Sequence, residues 1–418
     1  MQLKTFCVER YKGYAELAEM ELAPLTILVG SNNSGKSALA RSIQLLAGGL
    51  VPSDTDSSEP LPLESGGIHH AETFEDLLTG RIPHGSLSLS AHLADDDGEV
   101  SLSTTVQNVI APSQMSERQI REWRLHCSGD SVVATRQGLH AQSPYSIAVP
   151  GKPECSTTLR WQGLIPRPLE ALPTFVAARV KGLTAWAGRV RHLQCPRNLR
   201  PSPLILADNS FTALGPNGQY APLALATDDQ LRRSVRQWYR TAFQVNIDVV
   251  AQGRYIDVVV GTPTSYHGKI RIAQSGQGLS QVLPVVVTAL TARKTGPGVD
   301  VIEHPEAELH PAAHAHVAEL VLKNLVGPIR PMVVETHSEI FLLRARRWIA
   351  EGRLSADDVR VYWIYTEPDR GSNLRKIRIR ATGEMDSWPE GVFIEEYEEV
   401  MAIRRAARSE GNVDAHRD

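Results

Sequence analysis

Cysteine is scarce in this chain, and what there is does not cluster. Cys7, Cys127, Cys155 and Cys195 stand apart, with no C-x-x-C pair. That excludes a zinc ribbon and a dense disulfide scaffold, and it fits a reducing cytoplasm. A surplus of one charge is also missing. Lys+Arg number 44 against 47 Asp+Glu, a formal net charge of −3, so no global basic field marks nucleic acid as an obligatory partner. No apolar run approaches the roughly 20 residues that span a bilayer. The opening MQLKTFCVERYKGY reads as a charged strand and not as a signal peptide. What the chain does hold is 42% hydrophobic and 22% charged residues over 418 positions. That is a globular composition, enough for two or three domains or for one with large insertions.

Along the chain, residues 25–30 (LTILVG) form a short apolar run of the buried-strand kind, followed by a glycine-rich loop and a helical pattern ending near Gly48-Gly49. Residues 51–66 are rich in Ser, Pro and acid and read as an exposed loop. From Ser86 the pattern alternates, SLSLSAHL then DDDG then EVSLSTTV, a β-hairpin with an Asp-Gly turn. Short strand-like runs continue to about residue 160, and residues 200–222 read as loop. A helix capped by Thr227 or Asp228 follows, with Leu231, Val235 and Trp238 on one face. VNIDVV and YIDVVV make a second hairpin. From Gly268 onward strands and helices alternate in a parallel α/β rhythm. The tail after about residue 403 is polar and is expected to fray.

Three segments carry chemistry. Residues 30–37, GSNNSGKS, match G-x-x-x-x-G-K-[ST] in full. Successive backbone N–H groups of such a loop form an anion nest, and the helix behind it offers its positive end. Gly30, Asn32, Asn33, Ser34, Gly35, Lys36, Ser37 and Ala38 are therefore the nucleotide-binding candidates. Lys36 is expected at the β- and γ-phosphates of ATP, and Ser37 at Mg²⁺. A P-loop needs a carboxylate from a neighbouring strand. Val299–Glu303 ends in one, followed by His304, Pro305 and Glu306, so Glu303 is the metal-side acid. A further buried strand reaches His337, placed to meet a γ-phosphate at the strand's C-terminal end. Glu303, His304, Glu306 and His337 are the catalytic candidates. Beside Mg²⁺ and a lysine, the charged form of His304 is expected to be disfavoured. Ser275 and Gly276 open a third segment, QSGQGLSQ, before an apolar helix. One chain needs one cradle per nucleotide, so this second cradle is expected to meet the nucleotide of another copy.

The order of these segments (P-loop, Ser-Gly-Gln helix start, IEHPEAELHP, THSE) resembles the ABC ATPases of the RecF, SMC and OLD (overcoming lysogenization defect) type. It is most similar to OLD-like bacterial ATPases with a C-terminal domain of unknown function. ERYKGY, TFEDLL, LQCPRNLRP, THSEIFLLRARRWIAEG and SWPEGVF add to the likeness. The resemblance implies an α/β P-loop NTPase of the ABC head type with a β-rich insertion. Its lobes fall at residues 1–85 and 251–400, with the insertion at 86–250 and a tail at 401–418. It places Glu303 at the Walker B acid, His337 at the switch histidine, and Ser275 and Gly276 at the signature that meets ATP across a homodimer or higher homo-oligomer. His304 stands where ABC ATPases commonly have glutamate, which implies slow hydrolysis. Many OLD proteins carry a Toprim nuclease after the head. The chain is expected to leave no room for one and to work in phage defence with a separate effector such as a nuclease or toxin. A DNA-repair or chromosome-associated ATPase of RecF type is the alternative.

Weaker features are His310, His314 and His316, two of which share a helix face, and the basic stretch Arg179, Lys181, Arg189, Arg191, Arg197 and Arg200. The stretch is open to three readings: contact with nucleic-acid phosphates, a solvated surface, or an internal phosphate sensor.

Overall fold

Strands of a parallel sheet are covered on both faces and read as continuous apolar runs, and Leu25–Gly30 is such a strand. In the computed structural model of the chain, residues 1–51, 59–110, 116–140, 143–197, 199, 202–203, 214–252, 255–261 and 268–388 are described. The central sheet has six strands in the order Val190–Leu193, Val299–Glu303, Met332–Glu335, Leu25–Gly30, Val359–Glu367 and Gly371–Ile377. The first five are parallel and the last closes a hairpin. Side chains alternate across it. Leu25, Ile27 and Val29 pack in one core with the helices Gln277–Thr291, Pro311–Lys323 and Glu339–Ala350. Leu28, Val301 and Val333 face the opposite core.

That opposite core holds the helix Lys36–Leu50. Its Leu39, Ile43 and Leu46 meet the central sheet and also Phe6 and Leu89 of a second sheet. The second sheet is antiparallel, in the order Cys155–Thr157, Tyr145–Ala148, Asp130–Arg136, Ser116–Cys127, Gly98–Ile110, Ser86–Asp95, Gln2–Glu9 and Ala18–Glu21. Strand Ser86–Asp95 buries Leu87, Leu89, Ala91 and Leu93 at every second position, and Asp95 pairs with Gly98 across the turn. Strands from Ser86 onward thus continue the sheet that the N-terminal hairpin begins.

The helix Asp229–Phe243 forms as its pattern requires. Asp228 is the cap and accepts from Leu231 N at 2.9 Å. Leu231, Val235 and Tyr239 are buried, with Trp238 half-buried beside them. The hairpin Asn246–Gln252/Tyr255–Gly261 is present. Among the described residues no helix is long and apolar enough to cross a membrane. The polar tail, and parts of the loops at 51–66 and 200–222 and of SWPEGVF, lie outside the described residues.

Candidate functional site

The strand Leu25–Gly30 ends at the C-terminal edge of the central sheet, and the chain turns there into the helix Lys36–Leu50. Asn33 (φ 61°) and Gly35 (φ 104°) take left-handed backbone. A Cβ at Gly35 would stand 2.7 Å from Ser372 Oγ and 3.1 Å from Tyr14 Oη, so the position needs glycine. Neighbours pin the loop from outside. Tyr14 donates its hydroxyl to Gly35 O at 3.0 Å, and Ser372 N donates to Gly13 O at 2.7 Å. Ser31, Asn32 and Asn33 are exposed, Ser34 and Lys36 buried, and Gly30, Ser37 and Ala38 half-buried. The Lys36 ammonium donates to Gly30 O at 3.1 Å and Ser31 O at 2.7 Å. Burial lowers its pKa, against the pull of Glu335. Free N–H groups at the helix start, with this cation beside them, suit an anion such as a phosphate.

Two carboxylates face each other in register on the adjoining strands, Glu303 and Glu335. Glu303 is held by Arg41, His192 and a backbone N–H. Arg41, on the P-loop helix, donates to both its oxygens at 2.6 and 2.7 Å; His192 Nε2 lies 2.9 Å away and Cys195 N donates at 3.2 Å. Burial pushes this carboxyl's pKa up, but Arg41 and His192 outweigh it and hold it at about 2. The carboxylate bonded to the P-loop hydroxyl is Glu335: Ser37 Oγ donates to Glu335 Oε1 at 2.7 Å.

His304 lies between acids, with Nδ1 3.8 Å from Glu306 and Nε2 3.5 Å from Glu335. Burial lowers its pKa, but Glu306 and Glu335 overcome this and raise it to about 9. The carboxylates facing the ring favour its charged form here; the expectation of a disfavoured charge concerns the site with Mg²⁺ bound. His304 stacks on His337 with centroids 4.9 Å apart and planes 8° apart. His337 is exposed on its outer side; its partial burial, Lys36 and His304 all lower its pKa. Its backbone N donates to Glu306 Oε1 at 2.9 Å. The structure therefore gathers Lys36, Ser37, His304, Glu306 and His337 at one sheet edge, with Glu303 turned towards Arg41 and His192 beside them.

Ser275 and Gly276 precede the helix Gln277–Thr291. Ser275 N and Oγ both donate to Ile272 O, so its bonds stay within its own turn. Gly276 is exposed, and a Cβ there would meet nothing within 4 Å. The helix start is nevertheless tied to the acids. A Cβ at Gly278 would stand 2.5 Å from Glu308 O. Arg197 N donates to Gln281 Oε1 at 2.7 Å, while its guanidinium donates to Gln281 O and to the carbonyls of Glu303 and His304.

The basic stretch reads differently in three dimensions. Arg191 and Arg197 are buried and bonded inward, so they are neither solvated surface nor nucleic-acid contacts; Arg200 lies outside the described residues. His310 caps the helix Pro311–Lys323 by accepting from Ala312 N, and His314 bonds Ser338 Oγ and Leu309 O. Sequence reasoning missed Tyr14, Arg41, His192 and Glu335. A signal existed for the last: a carboxylate inside the apolar run Met332–Glu335 is as conspicuous as Glu303.

No protein-family model and no curated protein matches the chain. Among solved structures it is similar to an Smc head bound to the C-winged helix domain of ScpA, at TM-score 0.52 and 13% identity, over 91% of this chain and 99% of that one. An SMC head domain from Thermotoga maritima gives TM-score 0.42 and 11% identity, over 91% and 100% of the two chains. A Pyrococcus furiosus Smc head with an extended coiled coil, bound to the C-terminal domain of ScpA, gives 0.46 and 11% over 97% and 99%. The first of these shows a likeness in fold alone: the chain folds like an Smc head domain.

Proposed function

We propose that the chain binds ATP·Mg²⁺ at residues 30–38, hydrolyses it slowly, and closes as a dimer in which Ser275 and Gly276 of one copy meet the nucleotide of the other. The observation that carries this reading is the pinned P-loop, with Lys36 and Ser37 opening a helix beside two acid-tipped strands. Mg²⁺, when bound, neutralises phosphate charge and polarises the transferred group. The donors present suit it, since a hydroxyl and carboxylate oxygens are hard ligands. The remaining roles belong to the protein. Lys36 exchanges its two carbonyl partners for phosphate oxygens, and exposed Asn32 and Asn33 border the nucleotide. His337 faces the γ-phosphate. Slow turnover follows from position 304, where a histidine held between two acids replaces the carboxylate that would orient water.

In this reading residues 86–250 are the insertion between head lobes at 1–85 and 251–400, with Val190–Leu193 of that stretch joining the central sheet as its edge strand, and the protein is an OLD-like cytoplasmic sensor in phage defence that acts through a separate effector. The fold likeness to an Smc head bound to part of ScpA favours a second reading, a chromosome-associated ATPase that engages DNA and a protein partner. One set of measurements tests the proposal: labelled-ATP binding and light scattering on wild type, Lys36→Ala and Ser275→Arg. Lys36→Ala should lose ATP binding, and Ser275→Arg should bind ATP but fail to self-associate. Unchanged binding in Lys36→Ala would overturn the nucleotide site, and an unchanged ATP response in Ser275→Arg would remove Ser275 from the interface. DNA-stimulated turnover would select the second reading.

A further inference from the structure

We infer that Glu335, at the end of the strand before Thr336-His337-Ser338, is the carboxylate that receives the divalent cation together with Ser37, and that Glu303 is an internal anchor. The inference rests on the nucleotide reading above and changes which acid serves it. Glu335 is almost completely buried. One oxygen accepts the Ser37 hydroxyl at 2.7 Å, with His304 Nε2 3.5 Å from the same atom. The other oxygen, Oε2, is buried and has no hydrogen-bond partner among the described residues. Leaving a charged oxygen unpaired inside a protein is expensive, and a cation held jointly with the neighbouring hydroxyl would satisfy it. The pair offers hard oxygen donors of the kind Mg²⁺ takes, with few protein ligands and the rest from phosphate and water.

Glu303 has the opposite character. Both its oxygens are engaged, by a bidentate guanidinium, an imidazole and a backbone N–H. To ligate a metal it would have to release Arg41, leaving a guanidinium uncompensated next to an incoming dication. The geometry explains its place without any metal. Arg41 belongs to the P-loop helix, His192 to the edge strand and Cys195 to the segment leading to Arg197. Glu303 thus joins three elements behind the P-loop.

The deciding experiment is nucleotide affinity with and without metal, using a fluorescent non-hydrolysable ATP analogue in Mg²⁺ or in EDTA. Mn²⁺ binding in the presence of the analogue, read by electron paramagnetic resonance, accompanies it. Wild type, Glu335→Gln and Glu303→Gln are compared as full chains. Glu335→Gln should bind the metal-free analogue like wild type and weaken Mn²⁺ by about tenfold or more. Glu303→Gln should keep its Mn²⁺ affinity. Loss of Mn²⁺ in Glu303→Gln with retention in Glu335→Gln would overturn this assignment and leave the nucleotide site standing. Failure of wild type to bind the analogue under either condition would instead overturn the nucleotide reading, and this inference with it. If Glu335→Gln fails to fold, as judged by circular dichroism, Glu335→Asp decides: it keeps the charge, shortens the reach and should also weaken Mn²⁺. Wild-type Mn²⁺ affinity in that variant would count against the assignment.

Discussion

Two groups of buried polar atoms, one within the central sheet and one at its C-terminal edge, are completed differently. In the middle of strand Val299–Glu303, Asp300 accepts from Arg191 Nε and Nη2 at 2.7 and 2.6 Å and from Arg330 Nε and Nη2 at 3.0 and 2.7 Å. The arginines' other donors reach Thr291 Oγ1, Thr288 O, Gly296 O and Arg189 O. At the C-terminal edge, Ser34 Oγ, Glu306 Oε2 and Glu335 Oε2 are buried without partners among the described residues. Each such atom costs about 1–3 kcal/mol. The first group staples the edge strand and the turn before Met332 to the acid strand. In the proposed reading the second group is completed by a ligand and not by the fold.

The largest effect should come from breaking the satisfied group. Asp300→Asn leaves two buried guanidiniums without a counter-charge, and removing one partner of such a cluster costs about 3–5 kcal/mol. Urea unfolding followed by circular dichroism measures this directly. The pH dependence has a definite sign. Burial pushes the Asp300 carboxyl up, but Arg191 and Arg330 outweigh it and hold its pKa below the ordinary value. Its contribution is thus present above the usual aspartate pKa near ~3.9 and lost as pH falls through the folded value. Asp300→Asn should flatten that acid limb. A variant within about 1 kcal/mol of wild type, the size of an ordinary surface-to-core change, would put the staple elsewhere.

How much of this was legible in the sequence depends on the distance over which each feature is decided. The P-loop and both hairpins are local: a turn residue and an alternating pattern fix them within twenty residues. The helix at 229–243 was legible for the same reason, with its cap and buried stripe lying within fifteen residues of each other. The partner of Ser37 is 298 residues away. It depends on strand order, which places Met332–Glu335 between Leu25–Gly30 and Val299–Glu303. Two strands ending in glutamate look alike until that order is known. Arg191 and Arg197 were ambiguous likewise, because a basic run looks solvated until Asp300 and the carbonyls of residues 303–304 are found beside it.

A middle-sized effect should separate the two facing glutamates. Glu303→Gln weakens charged hydrogen bonds worth about 1–3 kcal/mol, less than Asp300→Asn because Arg41 is partly exposed and can regain water. Glu303 is held at about 2 against an ordinary 4.5, so its stabilisation is complete above pH 4.5 and fades as pH falls from there towards 2. The variant should lose that fading. Glu335→Gln, measured in the same urea series without nucleotide, should be far milder, since Glu335 has fewer bonds to lose. Equal losses in the two variants would erase the distinction between anchor and ligand.

The smallest effect should come from Ser34→Ala, and its sign is the informative part. Ser34 is buried and its hydroxyl has no hydrogen-bond partner among the described residues. An alanine removes a desolvated group without breaking a bond and leaves little space behind. Stability without nucleotide should therefore stay within about 0.5 kcal/mol of wild type, on the stabilising side if it moves. Affinity for the ATP analogue should fall by about two- to tenfold, the equivalent of one ordinary hydrogen bond. The two readouts moving apart, one flat and one falling, is what an atom kept for a ligand must give. If unfolding of Ser34→Ala instead showed a loss above about 1 kcal/mol with affinity unchanged, the hydroxyl would have to serve the fold. The edge group would then differ from the Asp300 staple only in degree.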